Sequence, residues 1–216
     1  MKILFIGNSF TYYNELPRLL EKVSGGASVQ AEMVAKGGYR LHQYADGASE
    51  DGQAVEAALR REQWDYVVLQ GQSAEPVRER ESFLTAAGEL CDKIRACGAK
   101  PVFYQTWSYR DGTEKLASTG LSYEAFYRAL KEGYQMAAED NQAALVPVGD
   151  VFFALAEPKG PLSMMIDDNY HPSLAGSYAA AVSFYRHFFP AEAGTLWYPA
   201  EMSCEDAELI WKTVTQ

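Results

Sequence analysis

Cysteine and histidine are both scarce in this chain of 216 residues, with 3 copies of each. Cys91, Cys97 and Cys204 form no C-x-x-C pair and no dense framework. That excludes a disulfide scaffold and suits free thiols in a reducing compartment. Cys91 shares the apolar spacing of a predicted helix and is expected in the core. His42, His171 and His187 show no H-E-x-x-H or clustered His/Cys spacing, so no metal is expected. Basic residues are also few: 19 Lys and Arg against 29 Asp and Glu, a net charge of -10. The pI is about 4.8. Nucleic acid and anionic membrane surfaces are bound through basic patches, so neither is an expected partner. No apolar run reaches the ~20 residues of a spanning helix. The opening MKILFIG offers one lysine and five apolar residues, counting Gly7, before Asn8. A secretory core needs ~7–15. A cytoplasmic protein is expected, with a leader removed from a longer precursor left open. There is no internal repeat, low-complexity stretch or linker, and the length fits one domain over residues 1–216. Hydrophobic residues make up 48% of the chain, too many for disorder.

What is present is an alternation. Apolar runs of strand length occur at 2–6, 29–35, 66–70, 101–106 and 145–148. They are nearly continuous rather than alternating, as in parallel strands covered on both faces. Helical spacing lies between them. Leu16, Leu19, Leu20 and Val23 form one stripe, with Asn14 as expected N-cap and Gly25 as stop. Phe83, Ala87, Leu90 and Ile94 form a second, closed by Gly98. Phe126, Leu130, Tyr134 and Ala137 form a third, capped by Ser122. Leu174, Tyr178, Ala181, Tyr185 and Phe188 form a fourth. Shorter helices are expected at 54–61 and 204–214. The order predicts an α/β fold: a three-layer, flavodoxin-like doubly wound sheet of about five parallel strands, in the order 2-1-3-4-5. Two irregular stretches, 108–120 and 156–169, stand apart.

In such folds ligands gather beyond the carboxyl ends of the strands. The residues there are Gly7-Asn8-Ser9, then Gly37-Gly38-Tyr39, then Gly71-Gln72-Ser73, then Trp107-Ser108-Tyr109-Arg110. A later loop carries Asp168-Asn169-Tyr170-His171-Pro172. A serine attacks a carbonyl only with a base beside it, and histidine is the usual base. The base in turn needs a group to fix its tautomer. Asp168 and His171 are three apart, so a turn can fold the carboxylate onto one ring nitrogen and leave the other for Ser9. Hydrolysis also needs donors for the developing oxyanion. The backbone N–H groups of Ser9 and Gly38 are candidates, with a side-chain amide from the third loop.

These blocks resemble the SGNH (GDSL-type) hydrolases. Gly7-Asn8-Ser9-Phe10 is similar to the family's GDSL block, with Asn8 in place of aspartate. Asp168 to Pro172 is similar to its D-x-x-H-P block. The resemblance implies an esterase with Ser9 as nucleophile, Asp168 and His171 as its catalytic partners, and Gly38 as the second-block glycine of the oxyanion hole. It favours Asp168 over the adjacent Asp167. No cofactor is implied. The third block departs from the family's G-x-N-D, since Gly71-Gln72-Ser73-Ala74 holds no asparagine. Gln72 is the candidate donor there, with Gln70 and Ser73 as rivals.

Each motif has a plainer explanation by itself: a turn for Gly-Asn-Ser, a cap or surface pair for Asp-x-x-His. Their joint placement at one rim favours catalysis. His42 is expected to be solvated or capping, and His187 a cation stabilising a helix C-terminus. Trp107, Tyr39 and Tyr170 are candidate substrate-binding residues, and Arg40 and Arg110 candidate pocket shapers. With 14 tyrosines in the chain, frequency alone is the competing explanation. The expected substrate is a small-molecule or carbohydrate ester, with O-acetyl groups on carbohydrates one option suggested by family usage. Two other functions fit parts of the pattern. One is a flavodoxin-like FMN-binding protein, whose phosphate would lie on the loop after the first strand. The other is an acyltransferase or binding relative on the same fold.

Overall fold

A computed structural model describes residues 1–25, 29–190 and 196–214. The first half runs β1 (Lys2–Gly7), α1 (Ser9–Tyr12), α2 (Leu16–Val23), β2 (Gln30–Ala35), α3 (Leu41–Ala45), α4 (Glu50–Arg61), β3 (Tyr66–Leu69), α5 (Glu75–Arg78) and α6 (Arg80–Ala96). The second half runs β4 (Lys100–Tyr104), α7 (Glu114–Ala117), α8 (Tyr123–Asp140), β5 (Ala144–Val146), α9 (Val148–Leu155), α10 (Leu174–Phe188) and α11 (Cys204–Val214). The strands form one parallel sheet in the order β2-β1-β3-β4-β5, as expected.

The pleat divides β1 between two cores. Ile3 and Phe5 pack with α2, α9, α10 and α11, and Phe5 meets Phe184 edge-on at 5.1 Å. Leu4 and Ile6 pack with α3, α4, α6 and α8 on the other face. Helices therefore cover both faces, the third and first layers of an α/β sandwich. The edge strand β2 departs from the buried pattern: Gln30, Glu32 and Met33 are exposed. The charge on Glu32 blunts a row of unpaired backbone groups that would otherwise template another strand. Among the described residues no helix is long and apolar enough to cross a membrane.

Several expectations are corrected. The run 145–148 is not one strand. Pro147 follows β5, and α9 begins at Val148. Apolar residues dense enough for either state hid that boundary, which proline marks because it cannot continue a strand's donors. Asn14 is not an N-cap. It sits at φ 51 in a 3-10 turn, Tyr13–Glu15, and the residue preceding α2 is Glu15. The irregular stretch 108–120 holds the short helix α7, capped by Thr113 Oγ1 at 3.3 Å from the Leu116 N–H.

Candidate active site

Position 7 has to be glycine. A Cβ there would lie 2.4 Å from Thr11 Oγ1 and 2.7 Å from Gln70 Oε1, closer than real atoms pack. That tight approach lets Gln70 brace the turn: its Oε1 accepts from the Asn8 N–H and the Thr11 hydroxyl, both at 3.0 Å. Asn8 then caps α1. Its Oδ1 accepts from the Phe10 N–H at 3.2 Å, while its Nδ2 donates to the Tyr39 carbonyl at 3.0 Å. A carboxylate at position 8 could cap the helix but could not make that donation, which gives the amide in GNSF a physical reason. Ser9 is the first residue of α1 and is 7% exposed, its hydroxyl turned to the sheet's carboxyl rim.

The second half of the pair comes from the loop before α10. Asp168 Oδ1 accepts the backbone N–H groups of Tyr170 and His171 at 3.2 and 3.0 Å. Its Oδ2 lies 2.5 Å from His171 Nδ1, and His171 Nε2 lies 2.7 Å from Ser9 Oγ. Burial works against the charge on Asp168, yet the hydrogen bonds from the His171 ring and the two backbone N–H groups hold its pKa below the ordinary value. Tyr13 stacks on the imidazole at 4.4 Å with the rings 5° apart. Asn14 ties the same loop to the Ser9 side, with Nδ2 reaching the carbonyls of Pro172 and Ser173 at 3.3 and 3.1 Å and Ser177 Oγ at 2.9 Å. Arg110 holds the loop from the other flank, its Nη2 donating to the Met165 carbonyl at 2.9 Å and its N–H to the Asn169 carbonyl at 2.9 Å. Ser173 caps α10 through the Gly176 N–H.

The opposite side of Ser9 is more open. Gly38 is exposed at φ +74, a conformation that favours glycine, and nothing would touch a Cβ there. The backbone N–H groups of Ser9 and Gly38 meet no acceptor among the described residues. Beyond β3, Gln70 is committed to the first loop, and its Nε2 donates to the Gly71 carbonyl. Gln72 and Ser73 both face the pocket, joined by a bond of 2.7 Å from Gln72 Nε2 to Ser73 Oγ; Ser73 Oγ also lies 2.9 Å from the Tyr109 hydroxyl. Beneath them Glu75 is buried. It accepts the Leu41 N–H at 3.0 Å and the Gln72 N–H at 2.8 Å, and burial pushes its pKa up to about 7.

These groups wall a pocket of about 300 Å³, lined by Asn8, Ser9, Gly38, Gln72, Tyr170 and His171 among others. Of the aromatic candidates, Tyr170 is in the wall. Trp107 is not: it is 1% exposed, sandwiched between Phe10 at 4.4 Å and Phe152 at 3.8 Å, with its indole N–H on the Tyr170 carbonyl. It supports the floor from below. Tyr39 is also turned away, its hydroxyl 2.5 Å from Asp51 and its ring under Lys36. Arg40 pairs with Glu79 and Arg110 serves the loop, so neither shapes the pocket wall. Asp167 and His42 are exposed. His187 is pushed toward its neutral form by burial, which runs against a role as a helix-end cation. Two residues escaped the sequence reading, Tyr13 and Lys115, and a third, Asn14, was read there only as a helix cap. Each reaches the site through contacts far apart in the chain, a relation no local spacing carries.

No family model and no curated protein matches the chain. Solved structures do. A protein from Slackia heliotrinireducens, described as a candidate SGNH hydrolase, is 32% identical, with a TM-score of 0.80 over 87% of this chain and 98% of that one. A DUF4886 family protein from Bacteroides uniformis superposes with a TM-score of 0.82 over 100% and 93% of the two chains, at 19% identity. An acetyl xylan esterase shares the fold at 14% identity and a TM-score of 0.66, over 87% and 99%. At 32% identity across most of both chains, on the same fold, the chain belongs to the SGNH hydrolase family.

Proposed function

We propose that this SGNH hydrolase cleaves small acyl esters by a serine mechanism through an acyl-enzyme. The supporting observation is the continuous line Ser9 Oγ, His171 Nε2, His171 Nδ1, Asp168 Oδ2, with separations of 2.7 and 2.5 Å at its two hydrogen bonds. His171 takes the proton from Ser9 Oγ as that oxygen attacks the ester carbonyl carbon. Asp168 keeps Nδ1 protonated, so that Nε2 is the basic nitrogen, and stabilises the imidazolium. The carbonyl oxygen, now negative, is held by the N–H groups of Ser9 and Gly38 and by the amide of Gln72, which Ser73 orients. His171 then returns the proton to the leaving alcohol oxygen. In the second half, His171 deprotonates water, water attacks the acyl carbon, and Ser9 recovers its proton as the acid leaves.

An O-acetyl group on a carbohydrate fits a pocket of this size, and the acetyl xylan esterase on the same fold makes it a reasonable first substrate. Transfer to an acceptor hydroxyl would use the same groups, with the acceptor in place of water. The FMN reading is weaker. A phosphate cradle needs several free N–H groups, but those of Phe10, Thr11 and Tyr12 are spent on Asn8 and that of Asn8 on Gln70 Oε1. Ser9→Ala is the test. With a panel of acetyl esters, the variant should fold normally and lose activity by at least ~10⁴-fold. Turnover equal to wild type would overturn the serine mechanism.

A further inference from the structure

One cation stands in the pocket wall without a task in the mechanism. Lys115 lies on α7, in the stretch between β4 and α8, and lines the same cavity as Ser9 and His171. Its Nζ sits 3.3 Å over the centre of the Tyr170 ring and 5.3 Å from that of Tyr109. Tyr170 in turn is 4.0 Å from the His171 ring, so a single aromatic ring separates the ammonium from the catalytic imidazole. No carboxylate pairs with it among the described residues. Asp168 acts on it at longer range, but that carboxylate is engaged by His171 and two backbone N–H groups. Three other lysines each have a carboxylate partner: Lys36 has Asp51, Lys93 has Glu56 and Lys131 has Asp150.

Burial also lowers the Lys115 pKa, the mark of an ammonium partly stripped of water. Aromatic faces hold such a cation in place but leave part of its charge unanswered. In a chain of net charge -10 this is a local reversal of sign, beside the reacting atoms. Besides His171 and the hydroxyls of Ser9, Tyr12 and Tyr170, the polar side chains of the wall are Asn8, Gln72 and Ser73, and no carboxylate lines it.

We propose that Lys115 selects esters that carry a carboxylate near the scissile bond, pairing its ammonium with that group. The inference rests on Ser9 as nucleophile. The carboxylate can belong to the acyl part or to the alcohol part, and two substrate pairs distinguish these. For the acyl side, p-nitrophenyl hemisuccinate is compared with p-nitrophenyl butyrate. For the alcohol side, 4-acetoxybenzoate is compared with 4-acetoxybenzamide.

The readout is the ratio of kcat/KM, anionic over neutral, within each pair. Wild type should favour the anionic member of at least one pair by about tenfold or more, and the preference should shrink as salt is raised. Lys115→Met should bring that ratio to one or below, and Lys115→Arg should restore most of it. Wild type hydrolysing both members of both pairs equally would overturn the proposal, leaving the serine mechanism intact. So would a preference that survives in Lys115→Met. Absence of hydrolysis of all four esters, with no difference from Ser9→Ala, would instead remove the underlying reading and the proposal with it.

Discussion

The two flanks of Ser9 are held in different ways. On the base side, Asp168 and His171 share a local turn, and that turn is tied down by Asn14 from one direction and Arg110 from the other. A stacked Tyr13 fixes the plane of the ring. On the oxyanion side, Gly38 lies on an exposed loop, and Gln72 is oriented mainly by its own neighbours Ser73 and Ala74. The lesson is about where precision is stored. In the proposed mechanism, proton transfer from Ser9 to His171 depends on the alignment of one hydrogen bond, and this flank has the redundant tethers. The proposed oxyanion flank has fewer such ties, the Gln72 side chain bonding only to its neighbours Ser73 and Ala74 among the described residues.

The comparison breaks most visibly at Asp168. Asp168→Asn keeps an acceptor for the two backbone N–H groups but presents an amide to His171 Nδ1, favouring the wrong tautomer. We expect kcat to fall by ~10²–10⁴-fold with the fold preserved, measurable in steady-state ester hydrolysis with circular dichroism as control. On the other flank, Gln72→Ala should lower kcat by ~10²-fold through loss of one oxyanion donor. Ser73→Ala should cost less, because Ser73 orients that amide. The reverse ranking would make the Ser73 hydroxyl the donor.

Asn14→Ala probes the tether rather than the chemistry. It strips partners from two carbonyls of the His171 loop, at a cost of about 1–3 kcal/mol in stability. It should lower kcat roughly tenfold with KM little changed, since the base is misplaced and the substrate contacts remain. The smallest effect concerns the support of the oxyanion flank. The folded pKa of Glu75 is about 7, above its ordinary 4.5. The folded protein thus keeps a proton that the unfolded chain releases. Its contribution to stability is full below the ordinary value and is lost as pH rises toward 7. Urea midpoints of wild type and Glu75→Gln, compared at acid and neutral pH, should show the wild-type advantage shrinking over that interval.

Much of the frame was readable in advance for reasons that are local. Strand runs such as ILFI and VVL announce themselves because parallel strands bury both faces, and the sheet order followed from the alternation. Ser9, Asp168 and His171 stood out because the turn chemistry around each is encoded within a few residues. Asn14 was misread because its partners lie 158 to 163 positions away in the chain. Trp107 was misplaced for the opposite reason. A tryptophan just beyond a strand end suggests a pocket, but Phe10 and Phe152 enclose it from two distant segments. Lys115 lay in a stretch that had no periodicity to read, and only the fold sets it over Tyr170.

The most direct test of the central claim is intact mass after treatment with a fluorophosphonate, on wild type and on His171→Ala. The expected result is one adduct, mapped to Ser9 in wild type and lost in the variant, because only a serine with its base in line attacks phosphorus readily. An unlabelled wild-type protein, shown to be folded, or an adduct on another residue such as Ser73, would contradict it.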